Sequence, residues 1–353
     1  MTTTSALVRA PDAARVPYEK LGWPGLRFRL LEEAGEPMDI LFRRYRFDGT
    51  VVDHEHIKHE SHDGVGGMTA LLESRGWTVP TMPVLQRPAR PGLLRRLWLL
   101  RSYIREVRGW PSAWRTEPEW SVLGRWPPVA IALFDRARTE AYAAALKRSS
   151  ASTTSGLLAA LDRAAASRLL ADGSPRRWMV PVNMRVTSDK AYGNVVTSVL
   201  VPFPSTRTPD DIHTAIKDML ARDLHWGAAL FGDIAKRFSV ERARRITLRF
   251  DPRRAIFGFV TNVGAWPPPD AVGTDDDDAS TWAIVPPVGR RGPLACAVVT
   301  YRGQLAVTLK VHGCLRMDAA GVRAILDDVA AEVARVADGA GTGAVFTDDA
   351  TAR

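Results

Sequence analysis

Residues 53–67 read Asp53-His54-Glu55-His56-Ile57-Lys58-His59-Glu60-Ser61-His62-Asp63-Gly64-Val65-Gly66-Gly67, and four of the seven histidines of the chain fall between 54 and 62. Val51–Lys58 reads as a strand, in which successive side chains point to opposite faces. His54, His56 and Lys58 then share one face, and Glu55, Ile57 and His59 the other. His59 stands where the strand ends and the chain turns through Asp63-Gly64 into a helix over 66–75. An imidazole there can face a cleft, and neutral imidazole accepts a proton near neutral pH without large tuning. Asp63 is suited to fix the turn by accepting from backbone amides or from a guanidinium.

Upstream, Leu26–Leu31 and Met38–Phe47 read as a strand pair joined by the turn-forming Glu33-Ala34-Gly35-Glu36-Pro37. Downstream, 78–92 carries four prolines and no periodic pattern, so it reads as a surface loop. A basic amphipathic helix is expected over 93–109, an irregular Trp-rich stretch over 111–128, and helices near 135–148 and 154–171. Strands then dominate, at Trp178–Val186, Val195–Phe203, Ile256–Val263, Trp282–Val285, Leu294–Tyr301 and Leu305–His312. Arg302-Gly303 joins the last two as a hairpin turn. Thr208-Pro209 starts a helix reaching about Leu230, and a final helix begins near Asp318. The pattern gives a mixed α/β chain whose character changes near 150–175. We expect a flexible N-terminus over 1–20, an N-terminal half over 21–172 that carries the His-Asp-Gly segment, and a C-terminal half over 173–353.

The chain has 353 residues, of which 46% are hydrophobic, and carries a formal charge of +9. Such a balance favours acidic or phosphorylated partners. Cys296 and Cys314 make neither a CxxC pair nor a disulfide framework, which suits a reducing compartment. No secretory signal is expected in the first residues, and no stretch approaches 18 uncharged apolar residues. These readings point to a cytoplasmic protein. No Walker A loop, GxGxxG fingerprint or GxSxG elbow is present, and no nucleic-acid partner is expected.

Lys58-His59-Glu60-Ser61-His62-Asp63-Gly64 resembles the HHxxxDG signature of the superfamily that unites chloramphenicol acetyltransferase, peptide-synthetase condensation domains and wax ester synthase/diacylglycerol acyltransferases. Lys58 stands in place of the first His. Trp178-Met179-Val180-Pro181-Val182-Asn183-Met184-Arg185 with Tyr192-Gly193-Asn194-Val195 resembles the "vPVnxR … GN" region of the wax ester synthase-like branch. Phe259-Val260-Thr261-Asn262-Val263-Gly264 resembles its "SNVxGP" segment. These landmarks come in the family's order, whereas the DFGWG motif of condensation domains has no good match.

The resemblance implies an α/β fold of two chloramphenicol acetyltransferase-like halves, mixed sheets flanked by helices, around a central tunnel. It implies an acyltransferase of secondary or lipid metabolism that makes an ester or an amide. His59 maps to the general base. Asp63 maps to a structural aspartate beside Gly64, paired with Arg185 or Arg27. Thr261, Asn262 and His62 are candidates for lining the site. The implied donor is acyl-CoA or an acyl chain on an acidic carrier protein, with no tightly bound cofactor, and the acceptor is a small alcohol or amine. The alternative is the same scaffold turned to cyclisation or another base-catalysed step, or a non-catalytic binding partner.

Two further signals compete. His54 and His56, with His62 or Glu60, could chelate zinc, but HxH is common by chance and no metal is assigned. The helix at 93–108 places Leu93, Leu94, Leu97 and Trp98 among arginines, a pattern suited to peripheral contact with an anionic membrane. A core-packed helix with snorkelling arginines is the simpler reading.

Overall fold

The computed structural model of the chain describes residues 17–77, 79, 91–108, 112–122, 128–185, 193–249, 251–266 and 280–348. Most of the expected N-terminal tail, most of the Pro-rich loop and Tyr192 lie outside them. In chain order the first elements are α1 (Trp23–Glu33), β1 (Asp39–Arg46), β2 (Val51–Lys58), α2 (Gly64–Ser74), α3 (Leu93–Arg108), β3 (Val129–Phe134), α4 (Arg136–Arg148) and α5 (Thr153–Leu169). Next come β4 (Arg176–Asn183), β5 (Val196–Phe203), α6 (Pro209–Ala221), α7 (His225–Ala235) and α8 (Val240–Leu248). The last are β6 (Gly258–Trp266), β7 (Ser280–Val285), β8 (Leu294–Tyr301), β9 (Gln304–Val311), α9 (Ala319–Val336) and β10 (Gly343–Asp348).

Two sheets result. A three-stranded antiparallel sheet has the order β2-β1-β7, and a seven-stranded mixed sheet the order β10-β3-β9-β8-β6-β4-β5. In the larger sheet β6 runs parallel to both β4 and β8. Each sheet borrows from the other half of the sequence. β7 pairs with β1, with Ile284 opposite Phe42, and β3 lies between β10 and β9. The boundary expected near 172 therefore does not divide the sheets.

Alternation on β3 explains this exchange. Val129, Ile131 and Leu133 enter the core shared with the small sheet, while Ala130, Ala132 and Phe134 enter the core beneath the helices. In that second core Leu157, Leu158 and Leu161 of α5 share the apolar space with Ile325, Leu326 and Val329 of α9. A strand buried on both faces shows no polar alternation, so its six apolar residues gave no period to read.

Two expectations are corrected. Leu26–Leu31 is part of helix α1, not a strand. Its Leu-Arg-Phe-Arg-Leu alternation also fits a helix, because Leu26 and Leu30 are one turn apart and pack together with Trp23 in a small core. The expected helix over 208–230 is two helices, α6 and α7. Asp223 between them adopts a left-handed φ of 62°, which a continuous helix cannot contain. Strand β10 and helix α8 are additional. Elsewhere the turn chemistry is as read: Arg302 and Gly303 have φ of 53° and 80°, the mirror-image turn that fits a twisted hairpin.

Helix α3 buries Leu99 and Ser102, whereas Leu94 and Leu97 remain 82% and 58% exposed. The helix thus packs on the core by one side and leaves apolar side chains exposed on another. No helix among the described residues is long and apolar enough to cross a membrane.

Candidate active site

The His-Asp-Gly segment is shaped by its own backbone and by two close approaches. The amides of Ser61 and His62 both donate to the Lys58 carbonyl, at 3.1 and 3.2 Å, which curls the chain as β2 ends. Asp63 then caps α2, its Oδ1 accepting from the Gly66 amide at 2.8 Å, and such caps stabilise a helix by about 1 kcal/mol. Gly64 opens the helix against β6, where an added Cβ would lie 2.9 Å from a Val263 methyl. Helix α1 presses on the other side of the turn, so closely that a Cβ on Gly25 would meet the Glu60 carbonyl oxygen at 2.2 Å. Glu60 itself is buried and accepts from Arg29 Nε and Nη2 at 2.5 and 2.6 Å. That pairing takes away the carboxylate considered for a zinc site.

His59 is half-buried and lines a cavity of about 900 Å³ that is partly open to solvent. Its Nδ1 lies 2.7 Å from the His62 carbonyl oxygen. A carbonyl only accepts, so Nδ1 carries the proton and the neutral ring offers Nε2 as the acceptor. Burial pushes the pKa of this ring below its ordinary value, and the bond to His62 and the nearby Asp63 charge offset only part of that shift. Phe28 of α1 stacks on the imidazole, centroid to centroid 3.8 Å at an interplanar angle of 24°. Asn194 Nδ2 donates to the His59 carbonyl at 3.0 Å.

Of the two arginines considered for Asp63, the structure places Arg185 against it. Both side chains are buried, and Arg185 Nη1 donates to Asp63 Oδ2 at 2.9 Å. The Val195 amide donates to the same oxygen at 2.8 Å. Arg185 is oriented in turn by Gly193, whose carbonyl accepts from Nη2 at 2.5 Å, and by Asn183, whose Oδ1 accepts from Nη1 at 3.2 Å. One carboxylate thus ties the helix start after β2 to the segments that end β4 and begin β5. Arg27 is a cavity-wall residue instead.

The cavity wall follows strand alternation. Phe259, Thr261 and Val263 of β6 face it at every second position. Asn262, between them, points to the opposite face, where its Nδ2 donates to Thr154 Oγ1 at 3.0 Å. Asn262 is therefore corrected to an exposed, hydrogen-bonded residue outside the cavity wall. His62 is likewise absent from the cavity wall, and its Nδ1 lies 2.9 Å from Ser61 Oγ. Sequence reasoning missed Phe28 and Asn194 as site residues. The strand reading of α1 hid the first, because it gave no helical face on which Phe28 could reach His59. Asn194 was visible only as one letter of a resemblance.

The fold these elements define is the two-lobed, chloramphenicol acetyltransferase-like fold. No protein-family model matches the chain, and no curated protein matches it. Among solved structures it is similar to the TRI3 trichothecene 15-O-acetyltransferase of Fusarium sporotrichioides, at 11% identity over 84% of this chain and 70% of that one, with a TM-score of 0.55. It is also similar to polyketide synthase associated protein 5 of Mycobacterium tuberculosis, at 14% identity over 80% and 73% of the two chains, TM-score 0.50. A structure on condensation domain-mediated chain release from the enacyloxin polyketide synthase shares 17% identity over 80% of this chain, TM-score 0.47, and this chain spans 57% of its length. At such identities the likeness to the first two establishes the fold alone.

Proposed function

We propose that the protein transfers an acyl group from a thioester to an alcohol or amine, with His59 as general base. The observation that carries this reading is the engagement of His59 Nδ1 by the His62 carbonyl at 2.7 Å, in a ring that borders the 900 Å³ cavity. The arrangement gives a neutral imidazole whose basic nitrogen is Nε2, held rigidly by Phe28 and the turn.

In the proposed reaction the acceptor oxygen or nitrogen attacks the thioester carbonyl carbon while Nε2 takes its proton. The tetrahedral intermediate collapses, the carbon–sulfur bond breaks, and the imidazolium returns the proton to the leaving thiolate. No covalent enzyme intermediate is needed. A positioned base contributes about 10²–10⁴-fold, and the rest of the acceleration comes from holding two substrates in line. The fold shared with a 15-O-acetyltransferase supports acyl transfer to oxygen as one form of the reaction. The charge of +9 suits a donor on coenzyme A or on an acidic carrier protein.

The test is thiol release from a panel of acyl-CoA and acyl-carrier thioesters, with and without alcohols and amines. Acceptor-dependent release is expected, and His59→Ala should lower it by about a hundredfold or more with an unchanged circular dichroism spectrum. Retention of most of the turnover in that folded variant refutes the assignment.

A further inference from the structure

The charges on the cavity wall do not balance. Its carboxylates are Glu36, Asp63 and Asp233, and each already has a cation. Glu36 accepts from Arg290 Nε at 3.1 Å and pairs with His312 Nε2 at 2.9 Å. Asp63 is held by Arg185, and Asp233 lies 3.8 Å from Lys236 Nζ. Two guanidiniums on the same wall remain, Arg27 on α1 and Arg291 in the turn between β7 and β8. Among the described residues neither has a carboxylate partner.

Arg291 is fixed in place. Its Nη2 donates to the carbonyls of Ile246 and Thr247 at 3.0 Å each and of Arg249 at 2.7 Å, at the end of α8. Tyr103 borders the same cavity as Arg27. Burial lowers the pKa of Arg27. Burial, and after it the charge of Arg27, brings Arg291 down to about 10. Two like charges facing one space repel each other, and a negative group between them relieves that repulsion. Planar guanidiniums suit carboxylate, sulfonate and phosphate oxygens. The place is close to the chemistry, since Arg27 precedes Phe28, whose ring stacks on His59.

We infer that Arg27 and Arg291, together with Tyr103, form an anion subsite in the cavity that holds an anionic oxygen group of the substrate and selects acidic over neutral molecules. The word substrate rests on the acyl-transfer reading, whereas the binding itself does not.

Two dyes that share an apolar frame and differ in charge test it on the whole chain: anilinonaphthalene sulfonate and the neutral phenylnaphthylamine. Arg27→Met is expected to bind the sulfonate dye about tenfold more weakly, the effect of losing a charge-assisted hydrogen bond, with partial recovery in Arg27→Lys. The neutral dye should bind all three proteins alike. His59→Ala should keep full sulfonate affinity, so a failure of the acyl-transfer reading leaves the subsite standing. Displacement of the sulfonate dye from wild type by coenzyme A identifies a donor phosphate as the occupant. Displacement by naphthoate and not by coenzyme A identifies an acceptor carboxylate. Unchanged sulfonate binding in both Arg27→Met and Arg291→Met, or equal loss of both dyes, overturns the proposal.

Discussion

Replacing Asp63 by Ala removes three bonds at once: from the Gly66 amide, from the Val195 amide and from Arg185. It also leaves the Arg185 guanidinium buried without its carboxylate, as the two side chains are only 5% and 3% exposed. Removing one member of a buried ion pair costs about 3–5 kcal/mol, and losing a helix cap adds about 1 kcal/mol. The expected loss is therefore about 4–6 kcal/mol, a large part of the roughly 5–15 kcal/mol that holds a protein folded. With a urea slope of about 3 kcal/mol per molar, the unfolding midpoint falls by more than about 1 M. The double variant Asp63→Ala/Arg185→Met removes the orphaned charge as well. It should be more stable than the sum of the single changes predicts, with a coupling of about 2–3 kcal/mol. Urea titrations of the four proteins, followed by tryptophan fluorescence and circular dichroism, measure this cycle. A midpoint shift below about 0.3 M for Asp63→Ala, or strict additivity in the cycle, would show that the pair does not tie the two parts of the chain together.

The pH profile and the β6 register give two more tests. Burial holds the His59 pKa below its ordinary 6.5, so the reactive neutral ring persists as pH falls through that value. The acid limb of kcat/KM should therefore lie below pH 6.5 and vanish from the residual rate of His59→Ala; a limb at or above 6.5 contradicts a desolvated base. Thr261→Val changes a cavity wall and should slow turnover, whereas Asn262→Ala, on the far face, should leave turnover within about twofold and cost no more than about 0.5 kcal/mol of stability, because its bond to Thr154 is exposed. The reverse order of effects on turnover would place the wrong face of β6 in the site.

How much of this was legible depends on whether the signal was local. The alternation of β2 put His54 and His56 on its exposed side, and the burial pattern agrees. Turn chemistry at Arg302-Gly303 and the cap at Asp318 marked element ends because each acts through neighbours a few residues away. Helix α1 failed for the opposite reason: Leu26, Phe28 and Leu30 satisfy a strand period and a helix period together, and only packing against α8 and α7 decides. The left-handed Asp223 carries no glycine to announce it. The exchange of β3 and β7 between sheets follows from long-range pairing that no local pattern encodes. The same division holds at the site. His59, Asp63 and Gly64 are contiguous, while Arg185, Asn194 and Arg291 are brought in by strands from the other half of the chain.

The surroundings of His59 also constrain what kind of base it can be. In a Ser-His-Asp arrangement a carboxylate holds Nδ1 and stabilises the imidazolium. Here a main-chain carbonyl, that of His62, holds Nδ1. The carboxylate of Asp63, four residues on, turns its oxygens to Arg185 and two amides, which occupy its charge. The tautomer is fixed as firmly as in a triad, but the protonated ring gains little stabilisation and sits in a desolvated place. Such a ring suits a proton that stays only briefly, taken from the acceptor and handed at once to a thiolate. The direct transfer proposed above asks no more of it, since the imidazolium then lasts only as long as the tetrahedral intermediate.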